Sequence, residues 1–325
     1  MSKTRVAVLR GGPSEEFEVS LRTGAEVLRA IDTSRFEPID ITITRNGEWL
    51  HEGRTRYPEH VIPTFDVVFI ALHGAYGEDG RVQRLLDRYG VSYTGSGAYA
   101  SGIAMHKGYT KEHVQGLSFK IPQHTTVLRS DRKTGGQYAG DIRARFGPEY
   151  ILKPVASGSS VGITLVLDTL DLASAIDRML EAYEEILVEE YVQGREVTCG
   201  VVERFRNHDL YALPPIEIVP PKEAGFFSYA VKYDGSTQEI CPAPLPHSVK
   251  NDIEYAAREV HKALGLKQYS RSDFILGNNG LYFLEVNTLP GLTAESLLPK
   301  ALHAVGASYD GFVNHLIEDA QRVKC

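Results

Sequence analysis

Apolar and polar positions along this chain switch repeatedly between the period of a strand and that of a helix. A short apolar run at 6–9 stops at Gly11-Gly12-Pro13, and a helical pattern follows over about 18–30. A second strand is expected at 39–44. The run at 67–72 has no polar residue, as a parallel strand buried on both faces requires. A helix over 80–89 then closes at Gly90. This alternation predicts a small α/β domain over 1–95, with ligand loops after the first strand (11–16) and after the apolar one (73–79).

The pattern changes beyond Gly95. Helices are expected over about 98–105 and 107–115, strands at 150–153, 162–167 and 186–190, and a Gly/Ser loop at 157–160. Leu172, Ile176, Met179 and Leu180 recur at helical spacing within 170–183. The segment 133–141, with its Gly135-Gly136 pair, reads as an exposed loop. The remainder holds several strands, a Pro-rich segment at 214–222, a helix near 249–264, a hairpin and a closing helix. The expected division is a central domain over 96–189 and a C-terminal domain over 190–325, with a lid loop at about 220–240.

The hairpin carries the strongest chemical suggestion. Residues 280–287 form an apolar, aromatic strand opened by the turn pair Asn279-Gly280, and Asp273 begins its partner strand. Residues i and i+2 of a strand share a face, so Glu285 and Asn287 point together. Asp273 brings a third oxygen donor and Arg271 a guanidinium. Few protein oxygens, completed by phosphate and water, are what Mg²⁺ takes when it holds a substrate phosphate. The same residues also fit an edge hairpin with a solvated polar face.

Composition narrows the setting. The 325 residues are 42% hydrophobic and 24% charged, as in an ordinary globular protein of two or three domains. A net charge of −7 argues against nucleic acid as a partner. No apolar run reaches the ~20 residues that span a bilayer, and the first strand is too short for a signal-peptide core. Cys199, Cys241 and Cys325 have neither paired nor metal-type spacing, so a cytoplasmic location is expected.

Four further loops carry chemistry. Lys153 stands at the base of a loop whose Gly158-Ser159-Ser160 run can cradle an anion, without the order of a P-loop; a tight hairpin with a surface lysine would look the same. His73-Gly74 and Gly77-Glu78-Asp79-Gly80 follow the buried strand, where Glu78 and Asp79 also suit a helix cap and His73 a structural histidine. In the loop after the first strand Ser14 can cap the next helix, and a carboxylate there can bind an ammonium group. Residues 188–196 can offer backbone to a purine edge and Glu196 to a ribose, or simply form a hinge. The aromatic stretch 226–233 reads as a water-excluding lid or as a packed strand.

In this order the motifs resemble the D-alanine–D-alanine ligases of the ATP-grasp superfamily. They are Gly11-Gly12-x-Ser14-x-Glu16-x-Glu18-Val19-Ser20, His73-Gly74-x-x-Gly77-Glu78-Asp79-Gly80, Tyr93-Thr94-Gly95-Ser96-Gly97, Lys153-Pro154 with Gly158-Ser159-Ser160-Val161-Gly162, and Glu285-Val286-Asn287-Thr288-x-Pro290-Gly291. The resemblance implies an α/β (α+β overall) three-domain ATP-grasp fold, with an N-terminal parallel-sheet domain and ATP held between two α+β domains. It implies ATP-dependent joining of two D-alanines through a D-alanyl phosphate for peptidoglycan precursors, in a cytoplasmic homodimer with no nucleic-acid or membrane partner. ATP and two Mg²⁺ ions, with Mn²⁺ as a substitute, would serve the reaction.

It also implies roles. Asp273, Glu285 and Asn287 match metal ligands, and Lys107, Lys153 and Lys232 match residues at the nucleotide phosphates. Glu189, Glu190, Val192 and Glu196 match the adenosine pocket. Glu16 matches the holder of the first ammonium, and forms with Ser159 and Tyr233 a triad that orients substrate and lid. Arg271 and the Gly291 N–H match the oxyanion pair. His73, Ser296 and Leu297 match substrate contacts, with Lys300 beside them. Tyr233 after Lys232 favours D-alanine over D-lactate as second substrate; D-lactate or D-serine ligation, and a non-catalytic nucleotide-binding relative, are the alternatives. One departure stands out: His106 precedes Lys107 where the family has aspartate, which predicts a weaker helix start costing about 1 kcal/mol or less. Glu190 stands where some relatives have lysine, which a backbone contact would tolerate.

Overall fold

The computed structural model describes residues 3–156, 158, 162–221 and 237–322. Three sheets organise them. The first has the order β4-β3-β2-β1-β5-β6. Its strands are β1 (Thr4–Gly11), β2 (Phe36–Ile43), β3 (Trp49–His51), β4 (Arg54–Arg56), β5 (Val67–Ile70) and β6 (Ser92–Tyr93). β2, β1, β5 and β6 run parallel, and β3 and β4 extend the sheet antiparallel. Val67 to Leu72 are all buried, as the unbroken apolar run requires. Helices α1 (Phe17–Ala30), α2 (Pro58–Val61) and α3 (Arg81–Tyr89) connect these strands. α3 closes at Gly90, whose φ of 63° lies in the left-handed region.

Helices α4 (Ala98–Met105) and α5 (Lys107–His113) lead out of the first sheet. His106 fills the cap between them better than its side chain suggested. Its Nδ1 accepts the Tyr109 N–H at 3.2 Å, its Nε2 lies 3.2 Å from Glu185 Oε1, and its ring stacks on Tyr109 at 3.8 Å between centroids. A neutral imidazole with its proton on Nε2 satisfies both contacts.

The second sheet, ordered β7-β10-β8-β9, is antiparallel throughout. It comprises β7 (His124–Leu128), β8 (Tyr150–Pro154), β9 (Thr164–Val166) and β10 (Glu185–Glu190). Two helices cover it, α6 (Gly135–Arg143) and α7 (Leu172–Ala182). The loop expected at 133–141 is thus a helix. Thr134 and Gln137 form a reciprocal capping box that starts it, and Tyr138, Ala139 and Ile142 bury its inner face. The glycine pair sits in the first turn, where a Cβ on Gly135 would meet the Ala173 carbonyl oxygen at 2.2 Å.

The third sheet runs β14-β13-β11-β15-β16, with β12 also paired to β11. These strands are β11 (Gly194–Phe205), β12 (His208–Ala212), β13 (Ile216–Val219), β14 (Gln238–Ile240), β15 (Tyr269–Gly277) and β16 (Gly280–Asn287). Its core joins Phe274 and Phe283 to Ala256 and Val260 of α8 (His247–Ala263) and to Ala104 of α4. Lys120 exchanges backbone hydrogen bonds with Leu281 and Phe283, at 2.8 and 2.9 Å, along the free side of β16. The closing segment forms two helices, α9 (Leu297–Ala304) and α10 (Tyr309–Arg322). α10 returns to the first sheet: Asn314 accepts the Asp32 N–H and donates to the Ala30 carbonyl, both at 2.9 Å. No helix among the described residues is long and apolar enough to cross a membrane.

Candidate active site

The β15–β16 hairpin turns four side chains to one side. In its antiparallel register Arg271 lies opposite Asn287 and Asp273 opposite Glu285, with a bulge immediately after Asp273. Arg271 donates from Nε and Nη2 to the two Asp273 oxygens, both at 2.9 Å. Thr198, opposite Asp273 on β11, donates its hydroxyl to Oδ1 at 2.5 Å, and Asn287 donates from Nδ2 to Oδ2 at 3.1 Å. Three side chains therefore fix one carboxylate. Burial works against the Arg271 charge, but Asp273 outweighs it and holds the guanidinium above its usual pKa. The resemblance implies separate roles for Arg271 and Asp273; in the structure the two side chains form a bidentate pair.

Two cavities meet at this hairpin. The first, about 260 Å³, is lined by Glu16, His73, Lys107, Arg271, Glu285, Asn287, Gly291, Ser296 and Leu297. The second, about 350 Å³, is lined by Lys153, Glu189, Glu190, Val192, Glu196, Arg271, Asp273, Glu285 and Leu297. Arg271, Glu285, Leu297 and Glu239 belong to both. Every described residue singled out as an implied site residue, Lys300 excepted, thus lines one cavity or the other. Ser159, Lys232 and Tyr233, with the aromatic stretch to which the last two belong, lie outside the described residues.

Loops after parallel strands supply the first cavity's far wall. Ser14 does not cap α1; its hydroxyl donates to the His73 carbonyl at 2.6 Å and joins the two loops. His73 spends both ring nitrogens on protein partners, Thr23 Oγ1 at 2.8 Å and the Leu289 carbonyl at 3.0 Å. No ring nitrogen is left for the substrate contact implied for it, and burial lowers its pKa. Asp79, with both oxygens, accepts the N–H groups of Tyr76 and Arg81 at the start of α3. Glu78 instead spans the site, accepting the Gly74 N–H at 2.8 Å and the Leu289 N–H at 3.4 Å. Burial, and then the Glu16 charge, push its carboxyl up to about 8. Lys107 Nζ stands 3.3 Å from Glu285 Oε2.

The second cavity has its own charge cluster. Lys153 and Glu189 lie on one face of neighbouring strands, Nζ 2.5 Å from Oε2. Lys111, one helical turn from Lys107, reaches the other oxygen of Glu189 at 2.7 Å. Glu190 turns its side chain to the Gln123 N–H at 2.9 Å. Lys300 pairs with Glu239 at 2.8 Å and lies 3.6 Å from Glu295.

The donor set suits a hard cation held with phosphate. Among the described residues no group of three or more His, Cys, Asp or Glu forms a metal cage. Two carboxylates and an amide on one hairpin face instead leave coordination to water and phosphate oxygens, the usual condition for Mg²⁺.

Comparison with known proteins follows the same outline. A family model described as D-ala D-ala ligase N-terminus matches residues 5–62 and 53–96, and one described as D-ala D-ala ligase C-terminus matches 114–318. The chain belongs to the D-alanine–D-alanine ligase family. It is 37% identical over 323 residues to the D-alanine–D-alanine ligase of Syntrophotalea carbinolica, covering 98% of this chain and 97% of that one. The VanG D-Ala:D-Ser ligase from Enterococcus faecalis superposes with a TM-score of 0.85 at 30% identity, over 98% of this chain and all of that one (100%). The D-alanine–D-alanine ligase of Bacillus anthracis complexed with ATP gives 0.81 at 30% identity, over 99% and 98% of the two chains. The chain is therefore an ATP-dependent ligase with the ATP-grasp fold.

Sequence reasoning missed Lys111, Thr198 and Glu239 in the ligase site. Lys111 had a signal, its i+4 spacing from Lys107 on one helix face. Thr198 and Glu239 had none, because strand register brings them in.

Proposed function

We propose that this ligase joins two D-alanine molecules into D-alanyl-D-alanine, converting ATP to ADP and phosphate, for the peptidoglycan precursor. A carboxylate oxygen of the first D-alanine attacks the γ-phosphorus, the bond to the bridging oxygen breaks, and ADP leaves. The second amine then attacks the acyl carbon, the carbonyl electrons collect on oxygen, and phosphate departs as they return. The amine proton goes to solvent or phosphate.

The observation that carries this reading is the position of Arg271 and Glu285 on the wall between the two cavities. The nucleotide would occupy the Lys153–Glu196 cavity and D-alanine the Glu16 cavity, so phosphoryl transfer would occur at the hairpin. Asp273, Glu285 and Asn287 would hold Mg²⁺ or Mn²⁺, two ions in all, which supply positive charge to the phosphates. Lys107 and Lys153 add fixed cations there, with Lys232. Arg271, kept charged by Asp273, would face the oxyanion with the Gly291 N–H. Glu16, with Ser159 and Tyr233, would hold the first ammonium, while Ser296 and Leu297 would shape the second subsite. His73 would act by tying the Gly74 loop to Leu289. The reading includes domains at 1–95, 96–189 and 190–325, and a homodimer working in the cytoplasm.

D-serine as second substrate is the competing reading, favoured by the likeness to the VanG D-Ala:D-Ser ligase. ADP release with D-alanine alone, and with D-alanine plus D-serine, D-lactate or L-alanine, tests both. D-alanine alone should support full turnover. Turnover only on adding D-serine or D-lactate would transfer the assignment to that product, and no ADP release with any of them would leave only a binding role.

A further inference from the structure

A buried lysine beside the second cavity plays no part in this scheme. Lys111 is fully buried, its Nζ is 2.7 Å from Glu189 Oε1, and it lies 3.4 Å from the Phe283 carbonyl. It lines neither cavity, so it cannot touch a nucleotide directly. Lys153, on the opposite side of Glu189, does line the second cavity. One carboxylate thus sits between two ammonium groups, with Glu285 a further negative charge near Lys111, and Lys153 is the ammonium of the two that lines the cavity.

The geometry points to Lys111 as a positioning residue that sets nucleotide selectivity: it keeps Glu189 ionised and fixed as an acceptor when Lys153 turns to the phosphates. This rests on the reading of the second cavity as the nucleotide site. An anionic Glu189 accepts from an exocyclic amine, as on adenine, and repels the carbonyl oxygen that guanine presents at the same position. Without Lys111, Lys153 would be the one cation left paired with Glu189 among the described residues. Glu189 would then hold Lys153 back from the phosphates, or lose its charge in a dry site. Both outcomes weaken ATP binding, and the second also removes the preference for an amine. The groups around the pair are Lys153 on β8, Glu189 on β10, His124 on β7, Lys107 on α5 and Glu285 on β16. None of them duplicates the Lys111 contact with Glu189 Oε1.

The test is steady-state ADP or GDP release by full-length Lys111→Met, Lys111→Gln and Glu189→Gln with ATP and with GTP. Circular dichroism and thermal melting identify the variants that fold, and Lys111→Gln, which keeps a hydrogen-bond donor, serves where the methionine does not. The expected result is a KM for ATP raised about tenfold, kcat changed less than about threefold, and an ATP-to-GTP kcat/KM ratio lowered at least about tenfold. A folded Lys111 variant with the wild-type ratio, beside a Glu189→Gln variant with an altered one, would overturn the role of Lys111 and leave the nucleotide site standing. If Glu189→Gln also changed neither KM for ATP nor the ratio, the nucleotide-site reading itself would fall.

Discussion

Gly158 approaches Glu16 so closely that a Cβ on it would stand 2.7 Å from Glu16 Oε2. A Cβ on Gly74 would stand 2.8 Å from the same oxygen, and Gly74 has a φ of +69° that favours glycine. Loops from two sheets therefore meet on one carboxylate. A Cβ at Gly158 meets the far end of a flexible side chain, so Gly158→Ala should fold normally but displace that carboxylate. The KM for D-alanine should rise about tenfold while the KM for ATP changes less than about twofold. Equal changes in both would show that Glu16 does not hold the amino acid.

Glu78 gives the folded protein a proton that the unfolded chain releases. Its carboxyl, ordinarily near 4.5, is pushed to about 8 by burial and by Glu16. Between those values the folded state binds more protons, so stability falls as pH rises through the window and levels off above about 8. Urea midpoints from pH 5 to 9 should decline in the wild type and decline less in Glu78→Gln. Parallel curves would show that Glu78 is ionised in the fold.

Glu189 and Glu203 act in the opposite direction. Burial opposes both charges, yet Lys111 and Lys153 hold Glu189 at about 2, and His261 with the Gln268 N–H holds Glu203 at about 2. Depressed carboxyls contribute stability above their usual 4.5 and lose it as pH falls toward 2. Glu203→Gln should therefore make the loss of stability between pH 5 and 3 shallower, as read by urea midpoints. An unchanged acid limb would remove Glu203 from that account.

His106 caps α5 through a ring nitrogen, a role expected of a carboxylate. His106→Ala should lower stability by about 1 kcal/mol, and His106→Asp should restore most of it, with kcat unchanged in both. A loss of turnover in His106→Ala, measured with folded enzyme, would assign the residue to Lys107 positioning instead.

The outline of the fold was legible wherever period and punctuation agreed. The apolar run ending at Leu72, the Gly90 stop and the Asn279-Gly280 turn each name their element. The helix Gly135–Arg143 was not read, because Gly135-Gly136 suggests a loop and its capping box spans only Thr134 to Gln137. Most of the site was readable because it lies on loops and one hairpin, where chemistry is not masked by packing. Glu78 was ambiguous because its cap position is local, while the bond to the Leu289 N–H crosses 211 residues of sequence. Lys111 had only its spacing from Lys107 to mark it, because its partner Glu189 lies 78 residues on, on a strand of the second sheet.

The central claim is that one hairpin face serves both phosphoryl transfer and amide formation. Its most direct test is dipeptide formation by Arg271→Ala with saturating ATP, Mg²⁺ and D-alanine, in protein shown to fold and to bind ATP. The account predicts a fall in kcat of at least about a hundredfold, since a charged donor to the oxyanion is lost from a dry site. Dipeptide formation at the wild-type rate would contradict it.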